Sequence, residues 1–189
     1  IMLHNNESPF GISPNAREAI TGEIPLSNRY PHQKYSQLID LISDRENIPP
    51  DHIILGAGST DLMVTLIHLA KRGGEIMVGD PTYFDFIYYA KKSDCSLRNI
   101  RLKDNFSYDL TAMEKQISAQ TELLYLCNPI NPTGTITPDS QLRSFCEQAS
   151  NRVLVVVDEA YHEYVDDPAY ASMVDLVRQG KNIIVTRTF

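Results

Sequence analysis

The sequence lacks any apolar run that approaches the roughly 20 residues a membrane-spanning helix needs, so we expect no membrane partner. Its cysteines, Cys95, Cys127 and Cys146, form no CxxC pair and show no Cys/His spacing typical of metal sites, so we expect reduced thiols and a cytoplasmic location. The N-terminal residues are too polar for a secretory signal peptide. Basic residues form no cluster and the formal net charge is −7, which argues against a nucleic-acid partner.

Stretches with strand character alternate with stretches of helical period along most of the chain. The strand-like stretches are 52–55, 75–78, 96–102, 123–127, 153–157 and 182–186. This alternation predicts an α/β fold, a doubly wound and mostly parallel sheet with flanking helices, over residues 36–189. Residues 1–35 lack a strong period and contain Arg29-Tyr30-Pro31, where the proline favours an extended backbone, so we predict an N-terminal arm there.

Two of the predicted strands end in polar residues for which a buried strand has no use. The strand at 123–127 runs into residues 128–134, and the strand at 153–157 runs into residues 158–161. In an open parallel sheet, ligands bind in the crevice beyond the carboxyl ends of the strands. An amide, a carboxylate and a phenol at that edge therefore predict a ligand site.

Two further stretches carry residues suited to a flat, anionic ligand. The turn at 56–60 combines backbone N–H groups, the hydroxyls of Ser59 and Thr60 and a helix N-terminus, which favours an anion, although helix capping explains the same residues. The turn matches neither the dinucleotide-binding nor the P-loop pattern. Tyr83 lies where a strand ends, so its ring either stacks on a flat ligand or packs in the core beside neighbouring aromatic residues.

Asp158 directly follows a run of apolar residues, so we expect its carboxylate near a buried crevice. An unpaired charge there is costly, so it requires a cationic partner or a role in a helix cap. Tyr161 lies near Asp158 if the chain turns helically at this point. A carboxylate for a protonated ring nitrogen, with a phenol and the Asn131 amide for a neighbouring ring oxygen, is the set of partners that pyridoxal phosphate requires.

These residues resemble the fold-type I, aspartate aminotransferase-like group of pyridoxal-phosphate enzymes, and most of all the histidinol-phosphate aminotransferase branch. The resemblance extends over almost the whole chain. Its motifs, in chain order, are NNESPFG at 5–11, RYP at 29–31, GST at 58–60, PTY at 81–83, NPINPTG at 128–134, DEAY at 158–161 and TRTF at 186–189.

The resemblance implies how the ring of the cofactor, pyridoxal 5′-phosphate, is held. Asp158 is expected at the pyridine nitrogen, and Asn131 and Tyr161 at the phenolic oxygen. Tyr83 is expected to stack on the ring face. Asp158 and Tyr161 are the residues of this chain for which the resemblance implies a part in catalysis.

The resemblance also implies residues for the cofactor phosphate and for the substrate. The phosphate is expected to contact small and hydroxyl residues, namely Gly58, Ser59, Thr60 and Thr188. A homodimer is implied, in which Tyr30 reaches the phosphate of the neighbouring subunit. The N-terminal segment is expected to line the substrate pocket through Asn6, Phe10 and Gly11.

In the family, the TRTF motif is followed by a Ser-Lys pair whose lysine forms the Schiff base with the cofactor. We expect that lysine just after Phe189, followed by a phosphate-binding arginine and by the small C-terminal domain, none of which is among the 189 residues. On this interpretation the chain is a fragment, or a sequence interrupted at the lysine loop. Residues 36–189 are then an incomplete large cofactor-binding domain.

The implied activity is that of a pyridoxal-phosphate-dependent aminotransferase acting on an amino acid or amino-phosphate and a 2-oxo acid. Histidinol phosphate and aromatic amino acids are both expected as amino donors. Decarboxylation, as in threonine-phosphate decarboxylase, or β-elimination would use the same cofactor residues. A lysine-less module that only binds a phosphate ligand or a partner subunit is a further interpretation, and a nucleotide-binding domain is a more distant one.

Overall fold

The structure is a computed structural model that describes residues 6–189. Its α-helices in that range are α1 (Pro14–Glu23), α2 (His32–Glu46), α3 (Ser59–Leu69), α4 (Phe84–Ala90), α5 (Leu110–Gln116), α6 (Asp139–Ala149) and α7 (Val174–Arg178). Its strands there are β1 (Glu75–Asp80), β2 (Ser96–Arg101), β3 (Thr121–Cys127), β4 (Leu154–Asp158) and β5 (Ile183–Thr186). Short 3-10 turns are found at Ile24–Leu26, Pro50–His52 and His162–Tyr164. Asn5, the first residue of the NNESPFG motif, lies outside the described residues.

The strands of the described chain form one sheet in the order β2-β1-β3-β4-β5, and every neighbouring pair is parallel. This confirms the doubly wound α/β fold predicted from the sequence. The register places Asp158 opposite Cys127 of β3 and opposite Thr186 of β5, so the strand ends are level at this edge. The strand predicted at 52–55 is wrong. Ile53 has an extended backbone, but no strand within residues 6–189 pairs with it.

Strand side chains alternate between two apolar layers, one on each face of the sheet. Leu124 and Val155 belong to the layer that includes residues of α5, α6 and α7. Leu123, Tyr125 and Val156 belong to the layer that includes residues of α3 and α4. Since both faces are covered, the central strands β3 and β4 are apolar except at their ends, whereas the edge strand β2 carries polar side chains along its length. No helix within residues 6–189 is long and apolar enough to cross a bilayer.

The chain divides into two compact units, of which the first ends at Leu38 and the second comprises Ile39–Phe189. In the first unit, α1 begins at Pro14, and the Ser13 side chain caps it by accepting a hydrogen bond from the Ala16 N–H at 3.2 Å. None of the described residues of this unit is buried, so it has no core of its own. The predicted boundary at residue 35 stays a prediction.

Candidate functional site

Asp158 is the last residue of β4, and only 2% of its surface is exposed. Its Oδ2 accepts a hydrogen bond from the Tyr125 hydroxyl at 2.6 Å, and its Oδ1 accepts one from the Ala160 N–H at 3.1 Å. Burial raises the pKa of the Asp158 carboxyl group, and the Tyr125 hydroxyl, the Ala160 N–H and the Thr186 side chain act in the opposite direction without cancelling the effect. Burial of this carboxylate therefore carries a desolvation penalty that its contacts within the chain do not offset.

Asp158 has no cationic partner among residues 6–189, since no ion pair in that range includes it. The next residue, Glu159, differs in this respect because its Oε2 lies 3.1 Å from Nη2 of Arg187. A buried carboxylate without a counter-charge attracts a positively charged group of a ligand, which relieves the penalty of burial.

The loop that follows β3 is closed by hydrogen bonds between its own residues. Asn128 accepts a hydrogen bond from the Thr137 N–H at 2.8 Å and donates one to the Thr137 carbonyl at 3.4 Å. Inside the loop, the Gly134 N–H donates to the Ile130 carbonyl at 2.7 Å. Gly134 has a φ of 70°, where any side chain would add strain. These contacts fix the backbone that carries Asn131.

The structure brings Asn131 and Tyr161 together. Asn131 Nδ2 donates a hydrogen bond to the Tyr161 hydroxyl at 3.3 Å, and both side chains are half-buried. Tyr161 is the residue before the 3-10 turn His162–Tyr164, so the chain turns soon after Asp158. An amide and a phenol side by side form a donor pair suited to a ligand oxygen that carries negative charge.

The turn before α3 ends at a helix N-terminus whose first N–H groups receive no hydrogen bond from the side chain of the N-cap residue. Gly58 is the N-cap, has a φ of 84° and provides no side chain to bond the first N–H groups. Ser59 and Thr60, both half-buried, are the first two residues of the helix. The Thr60 hydroxyl lies 3.5 Å from the Tyr83 hydroxyl. N–H groups and hydroxyls at a helix start favour an anion.

Tyr83 links this turn to the carboxylate electrostatically. It is the N-cap residue of α4, and its hydroxyl donates to Oδ2 of Asp85 at 2.8 Å. Burial raises the pKa of the Tyr83 hydroxyl, and the charge of Asp158 acts in the same direction. Thr60, Tyr83 and Asp158 therefore lie in one region of the second unit.

The remaining residues predicted for the site are exposed. Thr188, two residues beyond β5, is one of them. Tyr30, Phe10, Gly11 and Asn6 belong to the first unit, in which Tyr30 is 87% and Phe10 is 94% exposed. The roles expected for these five residues stay predictions.

Sequence reasoning missed a second buried carboxylate beside Asp158. Glu159 is 1% exposed and accepts hydrogen bonds from the Ser172 hydroxyl and the Met173 N–H, both at 2.7 Å, and from Nη2 of Arg187 at 3.1 Å. Arg187 also donates to Oε1 of Glu46 at 3.0 Å. The signal in the sequence was an acidic residue, Glu159, directly after one predicted strand and a basic residue, Arg187, directly after another. The structure shows that these two strands, β4 and β5, are neighbours in the sheet. This network joins the chain after β4 to the chain after β5.

Sequence reasoning also missed Tyr125, because an aromatic residue inside an apolar strand is typical of a core. Its hydroxyl contact with Asp158 depends on the register of β3 against β4, which places the two residues on the same face of the sheet. The buried hydroxyl itself was the only signal, since a buried tyrosine usually has a hydrogen-bond partner.

The site thus offers a carboxylate for a cationic nitrogen, an amide–phenol pair for an anionic oxygen and a helix start for a further anion, at the carboxyl ends of a parallel sheet. Pyridoxal phosphate carries these groups on a single ring, so the residues present fit that cofactor. Fold and site together define the class of fold-type I pyridoxal-phosphate proteins.

The chain belongs to the family Aminotransferase class I and II, which it matches over residues 1–189. It is 35% identical over 188 residues to an aromatic amino acid aminotransferase of Thermobifida fusca (strain YX), covering 99% of this chain and 52% of that protein. It is 34% identical over 190 residues to the histidinol-phosphate aminotransferase of Bacillus subtilis subsp. natto, covering 100% of this chain and 53% of that protein. The chain therefore spans about half the length of these relatives.

The fold is shared with the crystal structure of histidinol-phosphate aminotransferase from Sinorhizobium meliloti in complex with pyridoxal-5′-phosphate. The two chains superpose with a TM-score of 0.87 at 26% identity, over 97% of this chain and 50% of that chain. The expected large α/β domain of the aminotransferase family is confirmed, and pyridoxal phosphate is the cofactor of the class.

Proposed function

We propose that this chain forms the cofactor-binding part of a pyridoxal-phosphate-dependent aminotransferase, which moves an amino group between an amino acid or amino-phosphate and a 2-oxo acid. The observation that carries the proposal is Asp158, a buried carboxylate with no cationic partner among residues 6–189, in the same strand-end region as the Asn131–Tyr161 pair. Family membership supports the reaction class.

The residues around the ring have distinct tasks in this proposal. Asp158 accepts a hydrogen bond from the protonated pyridine nitrogen and keeps the proton there, because its buried negative charge favours the charged nitrogen. Asn131 and Tyr161 donate to the phenolic oxygen, and Tyr83 faces the ring. When bound, the cofactor supplies an electron sink for charge that develops at the α-carbon of the substrate.

The phosphate is held in this proposal by the start of α3 and by neighbouring hydroxyl groups. The residues concerned are Gly58, Ser59, Thr60 and Thr188. Support comes from the N-cap position of Gly58, which leaves the first-turn N–H groups without a side-chain cap of its own. Because these donors are backbone groups and short side chains, they bind a phosphate with little loss of side-chain entropy.

We further propose a cytoplasmic homodimer in which Tyr30 of one subunit contacts the cofactor phosphate of the other. The first unit has no buried residue among those described, and it exposes Ile20, Ile24 and Leu26, which favours docking on a second copy. The substrate pocket is lined by the N-terminal residues Asn6, Phe10 and Gly11. The free state of the cysteines supports the cytoplasmic location.

The amino donor is proposed to be histidinol phosphate or an aromatic amino acid. The support is that the names of the two relatives described above include both donors, at 35% and 34% identity. Since the two identities are nearly equal, both donors belong in the first assay.

The test is cofactor binding and amino transfer by the purified protein as the cell makes it. We expect a cofactor absorbance band that disappears on borohydride reduction while the cofactor becomes permanently attached to the protein, and transfer from histidinol phosphate or phenylalanine to 2-oxoglutarate. Asp158→Asn should keep the cofactor but lose at least about 100-fold in kcat, because the ring nitrogen is no longer held protonated. The matched control is Asp104→Asn, which neutralises an exposed carboxylate and should keep the unsubstituted rate.

Two results would contradict the proposal at different points. If the unsubstituted protein does not bind pyridoxal phosphate, both the proposed cofactor and the proposed activity are wrong. If Asp158→Asn transfers amino groups at a near-normal rate, only the role proposed for that carboxylate is wrong.

For the dimer, Tyr30→Phe should weaken cofactor affinity without lowering the midpoint of unfolding, and unchanged affinity would exclude its contact with the phosphate.

A further inference from the structure

Tyr125 lies in the middle of β3, and its side chain is fully buried. Its ring stacks on that of Phe86, with centroids 3.7 Å apart and an interplanar angle of 9°. Its hydroxyl donates to Oδ2 of Asp158 at 2.6 Å. The side chain is therefore fixed by packing along its ring and by the carboxylate at its tip.

The register of the sheet produces this contact. Tyr125 is opposite Val156, and Cys127 is opposite Asp158. Because side chains alternate along a strand, Tyr125 and Asp158 point to the same face and are diagonal neighbours. The contact thus follows from strand pairing, not from a flexible loop.

The direction of the hydrogen bond is set by the two groups that form it. A carboxylate only accepts, so Tyr125 is the donor. Burial raises the pKa of the Tyr125 phenol well above its ordinary value, and the negative charge of Asp158 adds to this, so the phenol keeps its proton. A hydrogen bond to a charged acceptor is stronger than one between neutral groups, and it stabilises Asp158 in its charged form.

We propose that Tyr125 is a positioning residue for Asp158, which holds the carboxylate in one orientation and keeps it charged opposite the ring nitrogen of pyridoxal phosphate. The Tyr125 hydroxyl fixes Oδ2, while the Ala160 N–H fixes Oδ1 at 3.1 Å. This inference rests on the proposed function, and it adds a residue that belongs to none of the motifs described above.

The consequence concerns the proton shared by the ring nitrogen and Asp158. The Tyr125 hydrogen bond lowers the proton affinity of the carboxylate, so the proton resides on the nitrogen. Without that bond, a larger share of the proton moves from the nitrogen to Asp158. The ring then carries less positive charge, and the stabilisation of negative charge at the α-carbon weakens.

The test uses pyridoxamine 5′-phosphate that is isotope-labelled at its ring nitrogen, because this form binds without a bond to a lysine. The NMR signal of that nitrogen reports whether it is protonated. In the unsubstituted, full-length protein we expect the protonated signal at neutral pH. Tyr125→Phe keeps the stack on Phe86 and removes only the hydroxyl, so the signal should move toward the unprotonated position.

A kinetic readout accompanies the NMR signal. Losing one hydrogen bond to a charged group should lower kcat by roughly 10- to 100-fold. The KM for the amino donor should change by less than about threefold, since no group that touches the donor is altered.

The matched control is Tyr108→Phe. Tyr108 is also a buried tyrosine, and its hydroxyl accepts from the Cys127 N–H at 2.8 Å and donates to the Cys127 carbonyl at 3.1 Å. This substitution removes a buried hydroxyl without touching Asp158. It should lower stability but leave the nitrogen signal and kcat near their unsubstituted values.

The outcomes separate the inference from the function on which it rests. If the unsubstituted protein does not bind pyridoxamine phosphate, both fail. If it binds and Tyr125→Phe gives the unsubstituted nitrogen signal, the inference alone is overturned. Should Tyr125→Phe not fold, p-aminophenylalanine at position 125 keeps the shape and donates a weaker hydrogen bond. It should then move the signal in the same direction by a smaller amount, and no movement overturns the inference.

Discussion

Replacing Asp158 by asparagine should stabilise the cofactor-free protein, although it should lower the rate of the proposed amino transfer. In the cofactor-free form, the buried carboxylate has no cation among residues 6–189. An asparagine can keep both existing contacts: its Oδ1 accepts from the Ala160 N–H, and its Nδ2 donates to the Tyr125 hydroxyl. The substitution therefore removes the charge and keeps a hydrogen bond at both contacts, while the proton of the Tyr125 hydroxyl loses its acceptor.

The expected gain is the difference between two effects of similar size. Burying a carboxylate costs several kcal/mol, whereas each of its two charge-assisted hydrogen bonds returns about 1.5–3 kcal/mol. The raised pKa of Asp158 shows that the desolvation effect is the larger one. We therefore expect Asp158→Asn to raise the free energy of unfolding by about 1–3 kcal/mol at neutral pH.

The gain should depend on pH in a definite direction. The pKa of Asp158 is raised above 3.8 in the folded protein, so the folded state keeps the proton to higher pH than the unfolded state does. As pH rises from the unfolded value through the folded value, the unsubstituted protein loses stability relative to Asp158→Asn. The difference should be small near pH 3.8 and below, and largest above the folded pKa.

The assay is urea unfolding of the cofactor-free protein, followed by circular dichroism at one protein concentration and several pH values. Asp104→Asn, at an exposed position, serves as the control and should stay within about 0.5 kcal/mol of the unsubstituted protein at each pH. A loss of stability in Asp158→Asn at neutral pH, or a gain that does not vary with pH, would refute the reasoning about burial.

Three further substitutions test the packing and the second carboxylate. Gly79→Ala would place its Cβ against the buried ring of Tyr108, so we expect a loss of about 1–3 kcal/mol in urea unfolding. Gly22→Ala, at an open helical position, should instead gain about 0.5–1 kcal/mol, and equal effects at both sites would contradict the packing argument. Glu159→Gln should cost about 3–5 kcal/mol, because an amide cannot accept from Arg187 and the other donors at once. An unchanged urea midpoint would mean that Arg187 needs no partner at Glu159.

Much of the fold could be predicted because the strands are buried on both faces. Segments such as Leu123–Cys127 are apolar at every position. Because helical segments separate them, their assignment as buried strands is unambiguous. The segment at 52–55 has the same composition, yet it is not in the sheet. A strand also requires a neighbour to bond its backbone, and composition alone does not reveal one. Ile53 is extended but finds no partner strand among the described residues.

The site could be predicted where its residues end a strand, and could not where they lie inside one. Asp158 and Asn131 interrupt apolar patterns, so they were visible as polar residues at an edge. Tyr125 fits the pattern of its strand, and its role follows only from the pairing of β3 with β4. Glu46, which bonds Arg187, lies in α2, far from it in sequence. Contacts of this kind depend on tertiary structure, which local sequence patterns do not encode.

The adjacent carboxylates of Asp158 and Glu159 differ in the partners that the chain provides for their charge. Burial raises the pKa of both groups. Glu159 is compensated within the chain, by the guanidinium of Arg187 and by two further donors. Asp158 receives hydrogen bonds from Tyr125 and Ala160 but no cation from residues 6–189. In the proposed function, a bound cationic group relieves this desolvation penalty. The sign of the Asp158→Asn effect on the cofactor-free protein tests directly whether that penalty exists.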